Sequence, residues 1–212
     1  MSIAIPIQEP VFAFTSGETF DQFCTAQPSE LAGLLRRIFA GVRLDPDTQL
    51  YLTNFPTWLT AVAIVEDMAP DTAVIVPILV RMAEACPRLE LRIISTAMDL
   101  TALNELVEED MDLEEDLDDL DLPLVLFFDE EWNQQARWGP RPAAAEKRLA
   151  DWLAAHPEYE ELLDSDAEDD SPELLRLLAQ LTHQMRFWYN DDLTAACIGE
   201  IREILEKMEP NE

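Results

Sequence analysis

The chain has 212 residues, 48% of them apolar, and carries 44 Asp and Glu against 14 Lys and Arg, for a formal net charge of −30. That length suits one domain with additions or two small ones, and the apolar share is enough to bury a sizeable core. So negative a surface repels nucleic-acid backbones and anionic lipid, which speaks against direct binding to either, and it attracts basic protein partners or divalent cations.

No apolar run approaches the roughly 18–20 residues that a membrane span needs. The opening stretch, MSIAIPIQEPVFAF, has neither the basic n-region nor the apolar core of a signal peptide, so a cytoplasmic location is expected. Cys24, Cys86 and Cys197 are far apart and odd in number, which does not suggest a disulfide framework. With only His156 and His183 to join them, they do not have the spacing of a zinc site. No metal and no cofactor is expected.

The N-terminal part reads as helices. Pro28 and Ser29 precede Leu31, Leu34, Leu35 and Ile38, an apolar stripe at helical spacing. Asp45-Pro46, a capping residue followed by a first-turn proline, opens a short helix through Leu50 and Leu52.

The period then changes. Ala61 to Val65 is a continuous, β-branched apolar run, the pattern of a strand buried on both faces. Ala69 to Ala85 reads as a buried helix, interrupted by Pro77, which removes a backbone donor and should kink it. Leu89 to Ser95 alternates as a second strand, and Leu100 to Val107 reads as a short helix. From Glu105 to Asp121 acid dominates, with Leu113, Leu117 and Leu120 spaced for a helix whose crowded carboxylates repel, so a partly ordered insertion is expected.

Leu122-Pro123 leads into a third buried strand, Leu124 to Phe128; a turn at 129–133 and a more polar strand, Gln134 to Trp138, follow. Gly139-Pro140-Arg141-Pro142 ends that strand, and Ala143 to Ala155 is a helix with Leu149, Trp152 and Leu153 on one face. A second acidic stretch, Glu158 to Asp170, reads as a linker. Ser171-Pro172-Glu173 is a strong helix start, continued by Leu174, Leu178, Leu181, Met185 and Trp188. Asn190-Asp191-Asp192 is read as breaking that helix before a last one from Leu193 to Met208.

Strand, helix, strand, helix, then two adjacent strands and a helix describe an α/β fold, with the first two strands parallel through a right-handed crossover and the last two a hairpin. The organisation expected is an N-terminal helical extension over 1–58 and a core over 59–156 with the acidic insertion 105–121. An acidic linker over 157–171 and a C-terminal helical pair over 172–208 complete it.

Met68-Ala69-Pro70-Asp71-Thr72-Ala73-Val74-Ile75-Val76-Pro77 follows a strand and opens a kinked helix. It resembles, without a gap, the thioredoxin segment W-C-G-P-C-x-x-x-x-P, and closer still a bacterial thioredoxin-like subfamily whose motif runs E-D-W-C-G-D-A. Glu66, Asp67 and Asp71 match that version, and Pro77 falls at the helix-kinking proline. Leu122-Pro123 resembles the family's cis-proline loop. Phe128-Asp129-Glu130 with Arg137-Trp138-Gly139-Pro140-Arg141-Pro142 is similar to the subfamily's F-F-D-E-x-G-x-x-x-x-R-W-G-x-R-P hairpin, and Arg186 to Leu205 to its closing helices. The resemblance covers about Leu44 to Leu205 and implies a thioredoxin-like fold, a mixed central sheet flanked by helices.

The departures from the family are as informative. The nucleophile position is Ala69, the resolving position Thr72, and the preceding tryptophan is Met68. Thiol–disulfide exchange needs a thiolate whose pKa a helix N-terminus depresses; alanine offers no nucleophile, and a threonine hydroxyl is no substitute without an adjacent base. The expected role is that of a redox-inactive binding module. Its retained groove would be formed by Met68, Ala69, Pro70, Asp71, Thr72 and Pro123, and its acidic surface would select a basic partner.

Two other roles stay open: a thiol oxidoreductase working through Cys86 or Cys24, and an acidic nucleic-acid mimic that binds basic proteins. Cys86 would lie about 25 Å from the usual active edge, at the far end of the helix that Ala69 opens, and is read with Cys24 and Cys197 as a packed core thiol. Asp71 is read as a helix-start aspartate favoured by the helix dipole. Asp164, Asp166 and Glu168 alternate as in a calcium loop, but Asp169 stands where such a loop needs glycine and Leu175 where it needs the closing glutamate.

Overall fold

The structure is a computed structural model that describes residues 14–97, 100, 120–163 and 171–209. Strands β1 (Leu59–Val65) and β2 (Leu89–Ser95) pair in parallel, Leu59 opposite Leu89 and Val65 opposite Ser95. Strand β3 (Leu124–Phe128) runs antiparallel to β1, and β4 (Gln134–Trp138) antiparallel to β3, giving the order β2-β1-β3-β4. Glu18 caps the outer edge of β2 by exchanging backbone hydrogen bonds with Ile93 at 2.8 and 2.9 Å. The mixed sheet, the parallel first pair and the closing hairpin are as the sequence pattern predicts.

Alternation along β1 divides the core. Ala61, Ala63 and Val65 face one side with Val125 and Phe127; Val62 and Ile64 face the other with Leu124, Leu126 and Phe128. Helix α4 (Pro70–Ala85) connects β1 to β2 and is buried over nearly all its length, which is why it carries Val74, Ile75, Val76, Ile78 and Leu79 in near-continuous sequence. It runs on through Pro77. Burying each such side chain stabilises the fold by about 1.5–3 kcal/mol.

The N-terminal helices pack against this layer. Helix α1 (Phe20–Ala26) starts in a capping box between Thr19 and Gln22. Helix α2 (Ser29–Gly41) packs on α4. Helix α3 (Pro46–Asn54) starts as the sequence predicts, with the Asp45 carboxylate accepting from the backbone N–H of Asp47 and Thr48. After β4 come α5 (Ala143–Ala155), α6 (Pro157–Leu163) and α7 (Pro172–Trp188), the last capped by Ser171 accepting from the Leu174 N–H.

Two expectations are corrected. The first half of the stretch read as an acidic linker is helical: Pro157 opens α6, its acids sit near the favourable positive end of the helix, and the Tyr159 ring packs edge-on against Trp152 at 5.6 Å. Nor does Asn190-Asp191-Asp192 break the chain's helical path. Tyr189–Leu193 form one π-helical turn that leads directly into α8 (Thr194–Lys207). The Thr194 hydroxyl donates to the Tyr189 carbonyl at 2.7 Å, five residues back, the spacing a π turn opens. The C-terminal pair is thus one long helix with a wide turn inside it. The predicted helix Leu100–Val107 apart from Leu100, nearly all of the insertion 105–121, and 164–170 with its calcium-like acids lie outside the described residues.

Candidate functional site

The corner between β1 and α4 holds residues 68–72. Ala69 occupies the N-cap position without a side-chain cap, Pro70 takes the first helical turn, and the Ala69 N–H donates to the Glu66 carbonyl at 3.3 Å. Pro123, preceded by a cis peptide bond, stands one step beyond the pairing of Ile64 with Leu124, beside the end of β1. Residues 68–72 thus lie in the turn that leaves β1, and Pro123 lies across from that end of the strand. They are not equally open. Met68 is 51% exposed and Ala69 half-buried, whereas Pro70, Asp71, Thr72 and Pro123 are buried.

Asp71 is engaged more specifically than a helix-start aspartate would be. Arg141, in the loop after β4, donates from Nε and Nη2 to its carboxylate, with Nη2 to Oδ2 at 2.8 Å. The side chains are only 10% and 14% exposed. Burial pushes the Asp71 carboxyl up from its ordinary value while the Arg141 guanidinium pulls it down, and Glu146, 3.3 Å from Arg141, adds a second carboxylate to the arginine. This ion pair was not visible in sequence order, although Arg141 belongs to the motif that carried the resemblance.

The same loop makes two further ties. Gly139 has φ +133°, and a Cβ there would run into the Pro123 carbonyl oxygen, so close approach of the two loops requires glycine. Glu200 on α8 uses both carboxylate oxygens: Trp138 Nε1–H donates to one at 3.0 Å, and the Ala143 N–H to the other at 2.8 Å. That second bond satisfies an orphan donor at the start of α5, whose N-cap, Pro142, has no side chain to offer. Residues 138–143 thus clasp the corner, the proline loop and the C-terminal helix.

The chemistry available at the corner is limited. Neither Ala69 nor Thr72 carries sulfur, and the buried Thr72 hydroxyl has no hydrogen-bond partner among the described residues. The three thiols are free and buried. Cys86 lies at the C-cap of α4, the end remote from Ala69. Burial pushes the Cys24, Cys86 and Cys197 thiols up from their ordinary value, the direction opposite to activation. Among the described residues no cluster of three or more potential metal ligands is formed, and no helix is long and apolar enough to cross a membrane.

A parallel strand pair joined by a buried helix, an antiparallel hairpin beside it, and a cis-proline beside the end of β1 define a thioredoxin-like domain with added helices at both ends. The chain belongs to the thioredoxin family, whose model matches residues 17–153, more than half of its length. No curated protein matches it. Among solved structures it is similar to a protein of unknown function from Pseudomonas aeruginosa, at 22% identity and a TM-score of 0.60, covering 92% of this chain and 96% of that one. It is also similar to an HIV epitope-scaffold at 21% identity and a TM-score of 0.59, covering 94% and 98%. At such identities these likenesses speak to the fold.

Proposed function

We propose that the protein is a redox-inactive thioredoxin-fold binding module, which presents the corner around Met68 and Ala69 to a basic protein segment. The observation that carries the reading is the absence of sulfur at the two positions, 69 and 72, that this corner places at the helix N-terminus. Two further features support it. Asp71 is already committed to Arg141 and so is not poised as a free acid or base. Met68 is a large apolar side chain exposed beside Glu66, itself exposed, which suits a contact that combines an apolar anchor with a positive charge.

Insulin reduction and peptide binding test this together. The expected result is no turnover with a dithiol donor, and binding of a labelled, extended Lys/Arg-rich peptide that weakens with salt and is reduced by Met68→Ser. Turnover at ordinary thioredoxin rates would overturn the reading. The net charge of −30 favours a second one, a charge mimic that occupies nucleic-acid-binding surfaces. Peptide binding indifferent to Met68→Ser but steeply salt-dependent would favour that mimic.

A further inference from the structure

A cleft of about 560 Å³ opens between the end of α2, the connection to α3, Val74 of α4, and the C-terminal helix at its π turn. Its charge is opposite to that of the molecule. Arg37, Arg43, Arg186 and Arg202 line it, against Asp45 and Asp191. A protein with 14 basic residues and 44 acidic ones has placed four of the former and two of the latter around one cavity.

Three of these arginines form no ion pair among the described residues, and with Asp45 and Asp191 also in the lining a small positive charge is left over. Among the described residues only Arg202 forms ion pairs, with Asp47 and Glu206, both at short range (2.9 and 2.8 Å). Arg43 donates to the Ala40 and Val42 carbonyls at the end of α2, and among the described residues Arg37 and Arg186 have no carboxylate partner. Asp45 spends its oxygens on the start of α3, accepting from Asp47 N–H, Thr48 N–H and the Thr48 hydroxyl. Like charges gathered around one cavity repel, and an anion seated among them relieves that repulsion.

The floor and walls say more about the occupant. Val42, Val74, Tyr189 and Ile198 give the cleft an apolar side. Tyr189 and Asp191 belong to the π turn, which widens the helix at this point and sets Arg186 and Arg202 on either side of it. Guanidinium forks match phosphate and carboxylate oxygens in pairs, and the cavity has the volume typical of a small-molecule site.

We propose that this cleft binds a small phosphorylated molecule, its phosphate held by Arg37, Arg43 and Arg186 and its organic part lying against Tyr189 and Ile198. The clustered oxygens of one phosphate can meet the guanidinium forks of neighbouring arginines in pairs, which the spread carboxylates of citrate do less well. None of its arginines belongs to the Met68 corner, although Val74, two residues after Thr72 on α4, lines the cleft.

Isothermal titration of the full chain at low salt with pyrophosphate, AMP and citrate tests it. Saturable binding of pyrophosphate or AMP is expected, tighter than that of citrate. Arg37→Gln and Arg186→Gln should each weaken it by about tenfold or more, the loss of a charge-assisted hydrogen-bonded contact. Arg137→Gln, an exposed arginine on β4 outside the cleft, should leave it unchanged. Arg37 is exposed as well, so its replacement is not expected to threaten folding. No saturable binding of either phosphate probe, citrate binding more tightly than both, or an equal loss in Arg137→Gln would overturn the proposal.

Discussion

Arg141 holds the Asp71 carboxylate from a loop 70 residues further along the chain, and in doing so fixes the start of α4 to the end of the β3–β4 hairpin. Both side chains are largely removed from water. Removing either partner strands the other as a buried charge, which costs about 3–5 kcal/mol, whereas replacing both with apolar side chains of similar volume costs far less. Denaturant unfolding of Asp71→Leu, Arg141→Met and the double variant should therefore be strongly non-additive, with the double variant more stable than either single one. Additive losses would show that the pair is not coupled.

Gly139 is the second fixed point. Its positive φ and its approach to the Pro123 carbonyl leave no room for a Cβ, so Gly139→Ala should destabilise the fold by more than about 2 kcal/mol. Gly199, on α8, has nothing within 4 Å of the position a Cβ would take. Gly199→Ala should stabilise by up to about 1 kcal/mol through helix propensity. Thermal unfolding of the two variants side by side gives opposite signs if the loop contact is as described.

Much of this was legible in the sequence because it is written locally. The β-branched runs at 61–65 and 124–128, the Asp45-Pro46 and Ser171-Pro172 starts and Pro123 before β3 each announce themselves within a few residues. What was not legible depends on residues that meet only in three dimensions. Asp71 carries the signature of a helix start, and nothing around it names Arg141 as its partner. The four arginines of the cleft stand at 37, 43, 186 and 202, with no common motif. Asn190-Asp191-Asp192 has the composition of a break, but buried Tyr189 and Leu193 on either side hold the chain in helical register across it, as a π turn.

Asp129 gives a pH-dependent test of the β3–β4 turn. Burial would raise its carboxyl, but hydrogen bonds donated by Asn133, by the Glu131 N–H and by Gln135 outweigh that and hold it below its ordinary value. A carboxyl depressed in the folded state contributes stability that is present above its unfolded pKa, about 3.9, and fades as the pH falls through the folded value. Asp129→Ala should cost about 1–2 kcal/mol at neutral pH from the lost acceptors. The gap between parent and variant should close progressively below about pH 4. A gap that stays constant into acid would mean that the ionised carboxylate is not what holds the turn.

Thiol reactivity probes the corner directly. Cys24, Cys86 and Cys197 are buried and pushed upward, so in the native protein at neutral pH they should react with iodoacetamide far more slowly than a free thiol, and all should react after denaturation. Ala69→Cys would place a thiol at the half-buried N-cap of a 16-residue helix, where the partial positive charge of the helix terminus favours the thiolate. That introduced thiol should be alkylated faster than any native one, with an apparent pKa below the ordinary cysteine value even though Glu66 and Asp67 lie close in sequence. Adding Thr72→Cys should then permit a disulfide between 69 and 72 and some insulin reduction, since the two positions stand at the N-cap and in the first turn of one helix. If the residue-69 thiol instead proves as inert as the native cysteines, the corner does not present position 69 to solvent, and its proposed use as a contact surface fails with it.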